Sequence, residues 1–146
     1  MKKLYLAFVL LIAGFTGYSQ ILNPVKFTYT AKKTGSDQYE LRIKAAIDDS
    51  WHLYSVYNPE GGADPTLISF NGIEKKVGVL REVGSIKTIY DKNFRTNQKF
   101  FERMVDFVQV VKVKPGAKKV EGTVEYMVCN DRKCLPPKEI PFEIKL

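Results

Sequence analysis

A chain of 146 residues, 45% hydrophobic and 27% charged, has room for one domain. Its formal charge of +7 would raise nucleic acid as a partner, but the pairs Lys32-Lys33, Lys75-Lys76 and Lys118-Lys119 are scattered along the chain and read as solvated turns and strand edges. Two further cations, Lys2 and Lys3, belong to an export signal, so no nucleic-acid partner is expected.

That signal has three parts. Lys2-Lys3 is a basic start, Leu4 to Phe15 is an uncharged apolar run, and Gly17-Tyr18-Ser19 places small residues before a cut between Ser19 and Gln20. The apolar run falls short of the roughly 20 residues that a membrane span needs. No cysteine sits at the cut to carry a lipid. The expected organisation is a signal peptide over 1–19 and one domain over 20–146, without a membrane span after cleavage.

The patterning is β throughout the expected domain. Val25, Phe27 and Tyr29 alternate with Lys26, Thr28 and Thr30 as a first strand, with a turn over 32–37. Tyr39, Leu41, Ile43, Ala45 and Ile47 give the clearest period-2 strand, and the two strands form a hairpin. Asp48-Asp49-Ser50 breaks the pattern before an aromatic-rich strand, Trp51 to Tyr57. The segment 58–65, with two prolines and Gly61-Gly62, is a loop. Thr66 to Phe70 is a short strand, Asn71-Gly72 carries a hairpin-turn signal, and Val77 to Val83 is a strand closed by Gly84-Ser85.

The segment 86–97 lacks a clean period and reads as a strand end running into a loop that carries an exposed Phe94. Phe100 to Val113 is apolar on both parities, as in a central strand or one bent at a bulge. Val120, Val124, Tyr126 and Val128 then alternate with polar residues and place Cys129 on the parity facing away from the core. Ile140, Phe142 and Ile144 form a last strand, which Pro141 places at an edge or a bulge. Eight or nine short strands without a helical period indicate a β-sandwich or small barrel.

The only two cysteines, Cys129 and Cys134, flank the polar loop Asn130-Asp131-Arg132-Lys133 and precede Pro136-Pro137. In an exported protein they can pair. A four-residue hairpin loop sets them opposite each other, at a Cα separation of about 4.5–5.5 Å that a disulfide accepts. So short a loop makes a weak staple, about 2 kcal/mol in the loop-entropy account. Arg132, Lys133 and Lys138 favour a thiolate and Asp131 opposes them. Composition and spacing leave a redox pair and a structural bridge both open. A metal site would have only His52 to add to the two thiolates, short of the four ligands of a closed zinc site. No metal or other cofactor is expected.

Tyr126-Met127-Val128-Cys129 followed by Cys134-Leu135-Pro136-Pro137-Lys138 resembles the end of the N-terminal periplasmic domain of DsbD, the thiol:disulfide interchange protein. Trp51-His52-Leu53-Tyr54-Ser55, Gly62-Ala63-Asp64-Pro65-Thr66 and Tyr90-Asp91-Lys92-Asn93-Phe94 are similar to its aromatic strand, a turn and its cap loop, in the same order. The resemblance covers nearly all of the expected domain, although its cysteine spacing is one residue shorter than in the best-known members. It implies an immunoglobulin-like β-sandwich whose C-terminal hairpin carries the pair. It further implies that Cys129 and Cys134 are catalytic, cycling between dithiol and disulfide in the periplasm.

On the same ground Tyr90, Asp91 and Phe94 would form a cap over the pair, and Tyr54 would support it. Cys134 is the expected sulfur shared with partners. Those partners would be thioredoxin-like or disulfide-isomerase proteins, with a separate membrane reductase as electron donor. His52 reads as a rim histidine that thiol exchange does not require. The competing reading is a non-enzymatic immunoglobulin-like binding module with a structural hairpin disulfide.

Overall fold

The structure is a computed structural model that describes residues 22–92 and 94–146. The expected signal peptide over 1–19 and its cut before Gln20 lie outside the described residues. Among the described residues there are nine strands: β1 (Val25–Gly35), β2 (Gln38–Ile47), β3 (His52–Tyr54), β4 (Leu67–Asn71), β5 (Ile73–Asp91), β6 (Thr96–Val113), β7 (Lys119–Tyr126), β8 (Val128–Cys129) and β9 (Lys138–Lys145). They form two antiparallel sheets, one ordered β1-β2-β6-β3-β8 with β5 also on β6, the other β4-β7-β9. The chain is therefore all-β, as expected, and the core lies between the sheets.

The alternation read in β2 is what builds that core. Leu41, Ile43, Ala45 and Ile47 point inward against Phe101, Val105, Phe107 and Val111 of β6, and against Val120, Val124, Phe142 and Ile144 of the smaller sheet. Trp51 joins the same cluster. β1 closes one side: the Phe27 ring meets Tyr126 edge-on at 5.1 Å, and Tyr29 stacks on Phe142 at 5.1 Å. Pro141 sits in β9, which pairs only with β7, so its missing donor faces an edge.

β6 is the spine. β5 runs along one of its edges from Ile73↔Val113 to Asp91↔Thr96. β2 and β3 share the other edge in series, with Ala46↔Met104 and Leu53↔Phe101 on either side of a step. At that step Arg103 takes φ 64° and, in the facing chain, Ser50 takes φ 68°. The bend expected in β6 is there, and it lets one strand serve two partners.

Three sequence expectations change. Asn71-Gly72 is no hairpin: β4 lies in one sheet and β5 in the other, and Gly72 at φ 77° makes the crossover. Gly84-Ser85 does not end a strand. β5 continues to Asp91, because a register shift between Gly84 and Ile86 absorbs the weak spot while β6 supplies the ladder. The aromatic strand expected over Trp51–Tyr57 is paired only at His52–Tyr54. After it, Glu82 takes over as partner, accepting from Ser55 Oγ at 2.7 Å and Val56 N at 2.8 Å.

The run from Val120 to Cys129 also divides. β7 ends at Tyr126 in the smaller sheet, and β8 begins at Val128 in the larger one. Met127 is the step between sheets. The cysteine hairpin is thus the bent tip of the β7–β9 pair, delivered to the end of the opposite sheet.

Candidate functional site

At that tip Leu135 N donates to Val128 O at 2.9 Å and Asn130 N to Lys133 O at 2.9 Å. Between these rungs Cys129 and Cys134 face each other, their Cα atoms 4.0 Å apart, joined as a disulfide. The four-residue loop is closed by its first residue. Asn130 Oδ1 accepts from the backbone N–H of both Arg132 and Lys133, each at 2.9 Å. An asparagine that satisfies the backbone ahead of it is a standard turn former, and here it fixes the loop without a glycine.

The two sulfurs are unequal. Cys134 is exposed, whereas Cys129 is 3% exposed. Cys129 points away from the main core, as its parity predicts, yet it does not reach solvent. It packs into a second apolar cluster with Tyr54, Ala63 and Phe100, and with Met127 against it.

β3 supplies the floor. His52 pairs with Cys129 and Leu53 with Val128. Leu53 enters the main core, so His52 and Tyr54 share the face of Cys129. His52 Nε2 lies 3.2 Å from the Tyr54 hydroxyl, and its ring lies 4.5 Å from that of Phe100. Burial pushes the His52 imidazole down from its ordinary value, while Glu102 and Asp131 pull it upward. Burial, and then the Asp91 carboxylate, push the Tyr54 phenol up.

The tip of the β5–β6 hairpin faces the pair from above. Together they enclose a cavity of about 430 Å³ lined by both cysteines, His52, Tyr54, Phe100, Ile89, Asp91 and Phe94. Asp91 Oδ1 accepts from Phe94 N at 3.3 Å, which holds the turn. Asp91, Phe94 and Tyr54 thus lie beside the cysteines. Tyr90 is placed elsewhere. It is 61% exposed and does not line the cavity, whereas Ile89, itself 53% exposed, does.

The sequence reading did not single out Gln98, which lines the same cavity and is 2% exposed. Its Oε1 accepts from Asn58 Nδ2 and from Ala63 N, both at 2.9 Å. Asn58 in turn accepts from Lys99 N at 2.7 Å and donates to Ala63 O at 2.8 Å. This network ties the loop 58–65 to the β5–β6 hairpin. A side chain at Gly62 would overlap the Gln98 amide, which its partners hold in place. Gly62→Ala is expected to lower stability by about 1–3 kcal/mol in urea unfolding. Gln98→Ala in the same background should abolish the extra cost, since it removes the atoms in the way.

Among the described residues no group of three or more His, Cys, Asp or Glu side chains is arranged to hold a metal ion. No helix among them is long and apolar enough to cross a membrane.

Comparison with known proteins agrees on the fold and on the family. The reduced N-terminal domain of Neisseria meningitidis DsbD superposes with a TM-score of 0.56 at 16% identity, covering 90% of this chain and 94% of that one. A DsbD N-terminal domain from the same organism, described in complex with the PilB N-terminal domain, gives 0.52 at 14% identity, over 86% of this chain and 88% of that one. The N-terminal periplasmic domain of ScsB from Proteus mirabilis gives 0.57 at 14% identity, covering 82% of this chain but 44% of that one. No sequence among curated proteins matches significantly. The profile described as "Thiol:disulfide interchange protein DsbD, N-terminal" matches residues 19–145, so with its immunoglobulin-like sandwich and its cysteine hairpin the chain belongs to the family of DsbD N-terminal domains.

Proposed function

We propose that the chain is a periplasmic thiol–disulfide exchange protein that passes electrons through the Cys129/Cys134 pair to oxidised partner proteins. The observation that carries this reading is the inequality of the two sulfurs. One is exposed at a hairpin tip, and the other lies directly beneath it among Tyr54, Ala63 and Phe100. In the reduced domain the Cys134 thiolate attacks a partner disulfide. One partner sulfur leaves with the electron pair, and a mixed disulfide forms. Cys129 then attacks Cys134, the intramolecular S–S bond forms, and the second partner sulfur departs as thiolate. Two electrons have moved to the partner.

Partners of thioredoxin-like or disulfide-isomerase type suit this scheme, since they carry an accessible disulfide of their own, and a membrane reductase would return the electrons. The loop closed by the bridge is short, with the cysteines five positions apart, so the bond adds about 2 kcal/mol at most and its opening leaves the sandwich intact. The reduction potential tests the assignment. A carrier has a value above about −300 mV, and a lower value would class the bond with structural bridges and favour a binding module instead.

A further inference from the structure

We propose that His52 carries the proton of Cys129 between the capped cysteine cavity and a second, acidic cavity behind it. This rests on the exchange reading above and assigns that reaction its base.

The second cavity, about 260 Å³, is lined by Asp48, Asp49, Glu102, Arg103 and Asp131 together with His52. His52 and Asp131 also line the cysteine cavity, so they form a shared wall between the two. On the cysteine side His52 stands opposite Cys129 in the antiparallel ladder and on the same face, where facing Cβ atoms are about 4.5–5.5 Å apart. It is the only histidine in the chain, and imidazole is the side chain whose ordinary ionisation falls near neutrality.

The chemistry requires such a group. Cys129 is buried among apolar side chains, which disfavour its thiolate. When a partner is bonded to Cys134 it stands over the mouth of the cysteine cavity, and bulk water has no direct path to Cys129. The acidic cavity shares only His52 and Asp131 with the cysteine cavity and is otherwise lined by different residues. In the resolving step the Cys129 S–H bond breaks and its proton passes to His52. The sulfur electron pair attacks Cys134 Sγ, the new S–S bond forms, and the partner sulfur leaves with the pair of the broken bond. The imidazolium then gives its proton to water in the acidic cavity.

The surroundings suit a transient cation. Glu102 on β6 and Asp131 on the cysteine loop favour it, and Asp48 and Asp49 border the same cavity. Arg103 opposes them, and Lys87 partly neutralises Glu102 at 2.6 Å. On the cysteine side stand Tyr54, Asp91, Arg132 and Lys133. Burial favours the neutral imidazole, the form that can accept a proton.

The test uses the full chain, reduced and then mixed with glutathione disulfide between pH 5 and 9. Acid-quenched samples are weighed by mass spectrometry, which separates dithiol, glutathione adduct and intramolecular disulfide. Conversion of adduct to disulfide should slow at acid pH, below the ordinary imidazole value of about 6.5, because burial pushes the pKa of His52 down. His52→Gln, which can still hydrogen-bond Tyr54 but cannot carry a proton, should slow that step at least about 10-fold at pH 7. Its rate should instead fall steadily as pH drops, with no plateau and no break in the imidazole range, and should approach the parent rate near pH 9, where the thiol ionises unaided. Glu102→Gln should move the acid limb of the parent to lower pH, because a negative charge that favours imidazolium is gone. An unchanged rate and profile in His52→Gln overturns the proposal and leaves exchange standing. If the parent chain forms neither adduct nor disulfide, the exchange reading fails and this one with it.

Discussion

Cys129→Ser, expressed in a periplasm, is expected to accumulate mixed disulfides with partner proteins, and Cys134→Ser to accumulate at least about 10-fold fewer. Thiol–disulfide exchange needs a thiolate that can line up with the partner's S–S bond, so access decides which sulfur is captured. In Cys129→Ser the remaining sulfur is exposed at the hairpin tip, beside Arg132 and Lys133, whose charges favour its thiolate. The partner bond, once formed, has no second thiol to resolve it. In Cys134→Ser the remaining sulfur is 3% exposed and among apolar neighbours. It meets no partner and its thiolate is disfavoured. Both variants lose the same bridge, worth about 2 kcal/mol, so a difference in trapping is not a difference in folding. Immunoprecipitation under non-reducing conditions, with thiols blocked at harvest, reads the outcome. Equal capture by both variants, or more by Cys134→Ser, would falsify the assignment of Cys134 as the shared sulfur.

What the sequence shows of this site is its local part. Cys129 and Cys134 are close in the chain, the loop between them is polar, and a period-2 run leads into it, so the hairpin and the outward parity of Cys129 follow from residues 120–137 alone. The alternation of Tyr39 to Ile47 shows a strand with one buried face for the same reason. The non-local part was hidden. Gln98, Asn58 and Ala63 act together, yet up to 40 positions separate them, and a glutamine in a polar stretch carries no sign of being buried. The length of β5 was hidden because Gly84-Ser85 is a good local breaker. A ladder with β6 on both sides of it overrides that preference. The place of Ile89, rather than Tyr90, beside the cavity was hidden as well, because residues 86–97 show no clean period and their faces follow from pairing with β6. The burial of Cys129 has the same origin. Its parity was legible, but not the cluster built over it from Tyr54, Ala63 and Phe100, which come from three other parts of the chain.

Phe94→Ala should make the reduced pair react faster with small oxidants, by about 5-fold for hydrogen peroxide. Phe94 stands at the tip of the β5–β6 hairpin, lines the cysteine cavity, and is 40% exposed. Burying a whole phenylalanine side chain is worth about 1.5–3 kcal/mol, so the buried part of this ring holds the tip against the cavity by about 1 kcal/mol. Removing it raises the fraction of time the cap stands open by about 5-fold, since 1.4 kcal/mol corresponds to tenfold. Asp91→Ala should act in the same direction, because the turn loses the bond from Phe94 N to Asp91 Oδ1. Neither change touches the main core, so urea midpoints should move little. That separation is what makes the test specific. A cap gates access without holding the fold together, whereas an ordinary core phenylalanine would cost about 3–5 kcal/mol on truncation and leave the chemistry of a distant pair alone. Unchanged oxidation kinetics with a large loss of stability would place Phe94 in the second class, and the exposed Cys134 would then stand unguarded.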